Sequence, residues 1–149
     1  MIEKATVNDL DQIVDLKIRM FEDMGAKWLL AENATDLIMS RYRESYAQDT
    51  AQHFVIRNNE TIVSCAGGFI KDDPPYCFFT KPYYGFISDS YTLPAHRKKG
   101  YATMLTNAVM DWLKSKDVNM IRLISSPQAR GLYEKIGFRG TDEMVLLMY

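Results

Sequence analysis

Apolar residues along the chain recur first at the spacing of a helix face and later in the alternating or continuous runs of strands. Leu10, Ile13, Val14, Met20, Phe21 and Met24 follow the helical period, with Thr6 and Asp9 spaced as a capping pair and Gly25 as a stop, which predicts a first helix. Ala34, Leu37, Ile38, Tyr42 and Tyr46 repeat the pattern behind Thr35 and Asp36 and predict a second. Residues 53–57 and 61–70 are β-prone runs separated by Asn58, Asn59 and Glu60, which suit a tight turn, so this stretch reads as a hairpin. Asp72-Asp73-Pro74-Pro75 then breaks the pattern as an exposed loop. A strand is predicted over 83–93, ended by Pro94. Tyr101, Met104, Leu105, Ala108, Val109, Trp112 and Leu113 form the strongest helical face in the chain. A short buried strand over 120–124 leads to Ser126-Pro127, a cap with proline at the first helical position. Ala129, Leu132, Tyr133 and Ile136 then share a face up to Gly137, and residues 144–148 close the chain as a final apolar strand. The order predicts one α/β domain over 1–149, a mixed twisted sheet flanked by helices.

Composition narrows the class of protein. The 149 residues fit one domain, and 47% hydrophobic with 12% aromatic residues supply a substantial core. Eighteen Lys and Arg against nineteen Asp and Glu leave a net charge of -1, so the whole molecule has no pull toward nucleic acid or an anionic membrane, and any basic site must be local. Two cysteines, Cys65 and Cys77, and two histidines, His53 and His96, fit neither a disulfide framework nor a metal cluster. No apolar run approaches the roughly 18 residues of a membrane span, and Met1-Ile2-Glu3-Lys4 is no secretory signal. The expectation is a soluble cytoplasmic protein without a metal.

The chemistry concentrates in residues 89–102, where a strand passes through a basic turn directly into the strongly amphipathic helix. The first backbone N–H groups of a helix lack intrahelical partners and carry the positive end of its dipole, so they can cradle a phosphate or pyrophosphate. Gly100 and Ala102 allow close approach of a ligand, while Arg97, Lys98 and Lys99 add charge beside it. The spacing matches neither a nucleoside-triphosphate loop nor a dinucleotide fingerprint.

Arg97-Lys98-Lys99-Gly100-Tyr101-Ala102 resembles the Arg/Gln-x-x-Gly-x-Gly/Ala pyrophosphate loop of the GCN5-related N-acetyltransferase family, preceded at the family's spacing by Thr92-Leu93-Pro94. A second signature, Ala-x-x-Leu-Tyr-Glu-Lys-x-Gly-Phe, is met by Ala129, Leu132, Tyr133, Glu134, Lys135, Gly137 and Phe138, and Ile2-Glu3-Lys4-Ala5-Thr6 with Asp9-Leu10 looks like the family's opening. The resemblance implies an acetyl-coenzyme A site between two splayed strands. The backbone near Ser90, Tyr91 and Thr92 would pair with the pantetheine arm, and the turn from Arg97 through Lys98, Lys99, Gly100, Tyr101 and Ala102, with Thr103, would hold the pyrophosphate. Lys98, Lys99 or Arg130 would reach the 3′-phosphate. Tyr133 would protonate the departing thiolate, which a phenol of pKa about 10 can do without being ionised. It also lies on an apolar face, where a core tyrosine would sit.

The chain departs from the pattern in places. Ser126 stands where many members have a cofactor-contacting Asn, and the strand over 83–93 has no glutamate to serve as base. Asp89 is its only carboxylate, readable as base or as a structural hydrogen-bonding group, with an ordered water as the other route for the amine's proton. Glu22, Asp23, Asp72 and Asp73 are candidates to attract a cationic amine, with Trp28, Tyr76, Phe78 and Phe79 as an apolar wall, although all are also ordinary surface or core-covering types. Nothing in the spacing of His or Asp activates either cysteine as a nucleophile. The expected function is acetyl transfer to a small-molecule amine by direct attack in a ternary complex, in a protein compatible with a homodimer. The competing readings are a degenerate coenzyme A-binding sensor and an acetyltransferase acting on tRNA or a protein N-terminus.

Overall fold

The computed structural model describes residues 1–75 and 80–149. The capping pair forms, with the Thr6 N–H donating to Asp9 Oδ2 at 2.8 Å and closing a 3-10 turn (Val7–Asp9) from which α1 (Leu10–Asp23) continues. Gly25, at φ 66°, turns the chain out of it. The second helix, α2, spans Ala34–Ala47. The hairpin joins β2 (Ala51–Asn58) to β3 (Thr61–Asp72), with Asn59 in the left-handed conformation its type favours. With β1 (Ile2–Lys4), β4 (Tyr83–Thr92) and β5 (Ile121–Leu123) these strands form one sheet in the order β1-β2-β3-β4-β5. Its pairings are antiparallel except for the last, β4 with β5, which is parallel and is crossed over by α3 (Tyr101–Ser115). A short helix, α4 (Arg130–Ile136), follows β5.

Alternation along the strands separates two cores. On one face Val55, Ile62 and Cys65 meet Leu10, Ile13, Val14 and Leu16 of α1 and Tyr42 of α2. On the other, Phe54, Ile56, Val63, Ala66 and Ile87 pack on Leu105, Val109, Trp112 and Leu113 of α3. The α3 helix sits close because β3 presents Gly68 to it, where an added Cβ would lie 2.9 Å from Val109 Cγ1 and 3.1 Å from Trp112 Cε3.

One expected element is absent. The strand expected over 144–148 does not form, and Met144, Val145, Leu146, Leu147 and Met148 are 62–93% exposed. Apolar composition favours burial, but a strand also needs an edge to hydrogen-bond to, and among the described residues no strand pairs with this segment. Among the described residues no helix is long and apolar enough to cross a membrane.

Replacing Gly68 with Val should force α3 off the sheet and lower stability by about 1–3 kcal/mol, the usual range for overpacking a filled core. Thermal denaturation followed by circular dichroism checks this, and an unchanged midpoint would contradict the close approach.

Candidate functional site

The site begins with an irregularity in β4. Cys65 pairs with Tyr91 and Gly67 with Ser88, so Asp89 and Ser90 together oppose Ala66, forming a bulge in which Asp89 takes φ 60°. Aspartate tolerates that left-handed conformation better than most residues. Beyond the bulge the sheet opens: β5 pairs with β4 only from Gly85 to Ile87, leaving the stretch from Ser90 to Thr92 free of β5, with Tyr91 and Thr92 paired on the β3 side. The V-shaped opening expected between the two strands is therefore present.

The Asp89 side chain turns inward and is 2% exposed. Its Oδ2 accepts from His53 Nε2 at 2.8 Å and from the Tyr42 hydroxyl, and its Oδ1 accepts from Lys17 Nζ and, at 3.2 Å, from Ser88 Oγ. With Nε2 donating, His53 Nδ1 is the acceptor for the Tyr46 hydroxyl at 2.8 Å, and that oxygen in turn accepts from the His53 backbone N–H at 3.1 Å. Burial by itself would raise the Asp89 carboxyl, but the hydrogen bond from His53 and then the charge and hydrogen bond of Lys17 outweigh it and hold the group far below its ordinary value. Burial, followed by the nearby Asp89 charge, pushes the Tyr42 phenol far up, so it remains a donor. Gly67 makes room for this cluster, since a Cβ there would lie 2.7 Å from the His53 ring.

Below the opening the chain turns through a short 3-10 segment (Pro94–His96) into α3. Lys98 (φ 63°) and Gly100 (φ 77°) are both left-handed, and Gly100 caps the helix. The first turn of α3, with Tyr101, Ala102 and Thr103 half-buried, is entered from this exposed bend, and an added Cβ at Gly100 would meet nothing within 4 Å. These features fit an anion held by backbone N–H groups. Lys98 and Lys99 are exposed beside it. Arg97, also exposed, is already engaged: its Nε donates to the Thr92 carbonyl at 2.9 Å, its Nη2 to Asp23 Oδ2 at 3.2 Å, and its guanidinium lies 5.4 Å from the Tyr91 ring centre. The Tyr91 hydroxyl donates to the same Asp23 oxygen at 2.5 Å, and this bond, followed by Arg97, lowers the Asp23 pKa. Thr92 Oγ1 lies 2.7 Å from Ser64 Oγ.

On α4, the Tyr133 ring is buried and meets Phe138 edge-on at 5.9 Å, while its hydroxyl bonds to no described residue. Ser126 is exposed, and its Oγ accepts from the Ala129 N–H at 3.2 Å, closing a turn ahead of α4 rather than capping the helix, whose N-cap is Ala129. Arg130 is exposed and paired with Glu134 at 2.7 Å. The Cys65 thiol is buried, donates to the Asp89 carbonyl at 3.2 Å, and is pushed up in pKa by burial and then by the Asp89 charge, which opposes thiolate formation. Among the described residues no group of three or more His, Cys, Asp or Glu is arranged to hold a metal ion.

The acceptor-side candidates separate. Glu22 and Asp23 line a cleft of about 390 Å³ with Asp15, Arg19, Tyr91 and Leu93, whereas Asp72 and Asp73 border a different and more open concavity beside Pro82 and Tyr83. Trp28 is exposed in the 3-10 turn (Lys27–Leu29) after α1. Tyr76, Cys77, Phe78 and Phe79 lie outside the described residues. The sequence reading missed Lys17, Tyr42, Tyr46 and His53. The available signal was a histidine inside an otherwise apolar strand that pairs with a Gly-Gly step.

A family model described as the acetyltransferase (GNAT) family matches residues 12–138. No curated protein sequence matches the chain. Among solved structures, a GCN5-related N-acetyltransferase from Ralstonia eutropha JMP134 superposes with a TM-score of 0.88 at 19% identity, over 99% of this chain and 97% of its own. A predicted acetyltransferase from Clostridium acetobutylicum, solved with acetyl-CoA, gives 0.87 at 25% identity over 99% and 95%. The aminoglycoside 6′-N-acetyltransferase AAC(6')-IG of Acinetobacter haemolyticus gives 0.73 at 18% identity over 100% and 97%.

Because the Asp89 carboxyl is held below its ordinary 3.8, its contribution to stability is complete above about pH 4 and drains away as the pH falls further. Asp89→Asn should cost about 3 kcal/mol at pH 7, since it leaves the Lys17 ammonium without its counter-charge, and should flatten the acid limb. Urea unfolding at a series of pH values measures both. Parallel acid limbs for the two proteins would remove Asp89 from this role.

Proposed function

The chain belongs to the acetyltransferase (GNAT) family, and on that premise we propose that it transfers the acetyl group of acetyl-coenzyme A to the amine of a small molecule, as one N-acetyltransferase domain over residues 1–149. The observation that carries this reading is the opening between β4 and β5, continuous along the chain with a basic turn whose two left-handed residues expose the start of α3. The cofactor of the Clostridium protein and the acceptor class of the Acinetobacter enzyme support the same assignment.

When bound, acetyl-coenzyme A supplies an activated thioester to which a neutral amine adds as the carbon–sulfur bond breaks. The free edge of Ser90, Tyr91 and Thr92 offers the pantetheine amides backbone partners, as an added strand would. Lys98, Lys99, Gly100 and the N–H groups of Tyr101, Ala102 and Thr103 bind the pyrophosphate, with Arg97 bracing the turn from within. Lys98, Lys99 or Arg130 reaches the 3′-phosphate, and Ser126 holds the turn that leads into α4 by accepting from the Ala129 N–H. Tyr133, whose hydroxyl no described residue engages, delivers a proton to the leaving sulfur.

Asp89 serves this scheme as a positioning residue. A carboxylate already accepting from four donors, with its pKa driven down, is a poor proton acceptor, so water takes the amine's proton. The cleft lined by Asp15, Glu22, Asp23 and Tyr91 suits a cationic amine with an apolar body.

Gly100→Glu should abolish acetyl-coenzyme A binding by calorimetry while the chain still folds at a cost of about 1–2 kcal/mol for a side chain at positive φ, because the site has open space but no tolerance for a negative charge where pyrophosphate must lie. Retained affinity in the folded variant would exclude this turn. On an active acceptor, found by screening primary amines for release of free coenzyme A, Tyr133→Phe should lower kcat roughly tenfold or more with cofactor affinity preserved. Equal kcat would return Tyr133 to the core. Binding without turnover on any amine would favour the sensor reading, and acetylation of tRNA or protein N-termini would change the acceptor class.

A further inference from the structure

Four side chains from three adjacent strands meet on the face of the sheet that α1 and α2 cover only in part. Lys71 follows Phe69 by two residues on β3 and so shares its face, which Phe69 identifies by packing on the first core. Across the sheet Phe69 pairs with Phe86 of β4, Phe86 with Arg122 of β5, and Lys71 with Tyr84 of β4. Tyr84, Phe86 and Arg122 are half-buried and Lys71 is exposed. The Lys71 ammonium lies 4.0 Å from the centre of the Phe86 ring and the Arg122 guanidinium 5.1 Å from that of Tyr84, so two cations stand over two aromatic rings.

The cations of this patch are unequally committed. Lys17 of α1, at its inner edge, is spent on the buried Asp89. Arg122 pairs with Glu143, an exposed ion pair of the kind that contributes little, and feels the charge of Asp73. Lys71 has no hydrogen bond or ion pair among the described residues. Burial, followed by the charges of Lys17 and Arg122, lowers its pKa, so an anion arriving there meets positive charge that the protein leaves uncompensated. The Glu143 contact shows that a carboxylate is accommodated against this face.

We propose that this patch binds a carboxylate of the acceptor, with Lys71 pairing with it, Arg122 exchanging Glu143 for it, and Tyr84 and Phe86 supporting the adjoining carbon chain. The substrate class is then an amine that also carries a carboxylate, an inference that rests on the acetyl transfer proposed above. Phe86 precedes the bulge at Asp89 by three residues, about 10 Å along a strand. An amine reacting at the opening and a carboxylate held on the patch are therefore separated by several bonds, as in an ω-amino acid, rather than by one carbon as in an α-amino acid.

Rates of coenzyme A release with 6-aminohexanoate and with 6-aminohexanamide, which differ in that one charge, test the proposal on the full chain. The expected kcat/KM is roughly tenfold or more higher for the carboxylate, most of it in KM, as for a charged hydrogen bond made in the ground state and the transition state alike. Lys71→Met should shrink the ratio toward one, and Lys71→Arg should restore most of it. Equal kcat/KM for the two acceptors in the wild type, or a ratio that survives in Lys71→Met, would overturn the proposal. If Lys71→Met does not fold, Arg122→Gln replaces it, and an unchanged ratio there has the same force. If neither amine is acetylated, the acetyl-transfer reading for this acceptor class fails, and binding decides the patch separately. Backbone amide NMR shifts over 84–88 that saturate with 6-aminohexanoate, not with the amide, and that vanish in Lys71→Met would uphold a carboxylate site, whereas their absence in the wild type would remove it.

Discussion

The architecture of the site depends on one buried carboxylate. A bulge in the strand that borders the opening requires a residue at positive φ, and the side chain placed there by the bulge points into the protein. Asp89 fills that position as an anion only because Lys17 of α1, Tyr42 of α2, His53 of β2 and the adjacent Ser88 all aim donors at it. Two of the donors come from the helices packed on the face away from α3 and two from strands of the sheet itself, so assembly of the first core is coupled to the place where β4 bends. That bend is what separates β4 from β5 after Ile87.

The same coupling reaches the basic turn before α3. Asp23, at the end of α1, accepts from both Tyr91 on the free edge of β4 and Arg97 at the entrance of the turn. One carboxylate thus ties the acceptor-side cleft to the edge proposed to bind pantetheine and to the loop proposed to bind phosphate. Each carboxylate of that cleft is met by a cation, Asp23 by Arg97, Asp15 by Arg19 and Glu22 by Lys27, so their negative charge is partly neutralised. Within the turn, Lys98 and Lys99 remain free to face a ligand while Arg97 stabilises the loop, a division of roles that the run of basic residues does not reveal.

Much of the fold was legible in the sequence because its determinants act over a few residues. Helical periodicity, the Thr6–Asp9 cap, the turn at Asn59 and the stop at Gly25 each specify local structure through contacts made within a turn or two of the chain. The Arg97–Ala102 motif and the α4 signature lie where their spacing placed them, at the start of α3 and along α4. What tertiary structure alone decided are matters of partnership. Asp89 was legible as a base or as a structural group, and the choice rests on donors 72 residues away at Lys17 and 36 away at His53, which no local pattern encodes. The apolar run at 144–149 has the composition of a strand, yet a strand exists only against an edge, and which edge is available is settled by where the rest of the sheet ends.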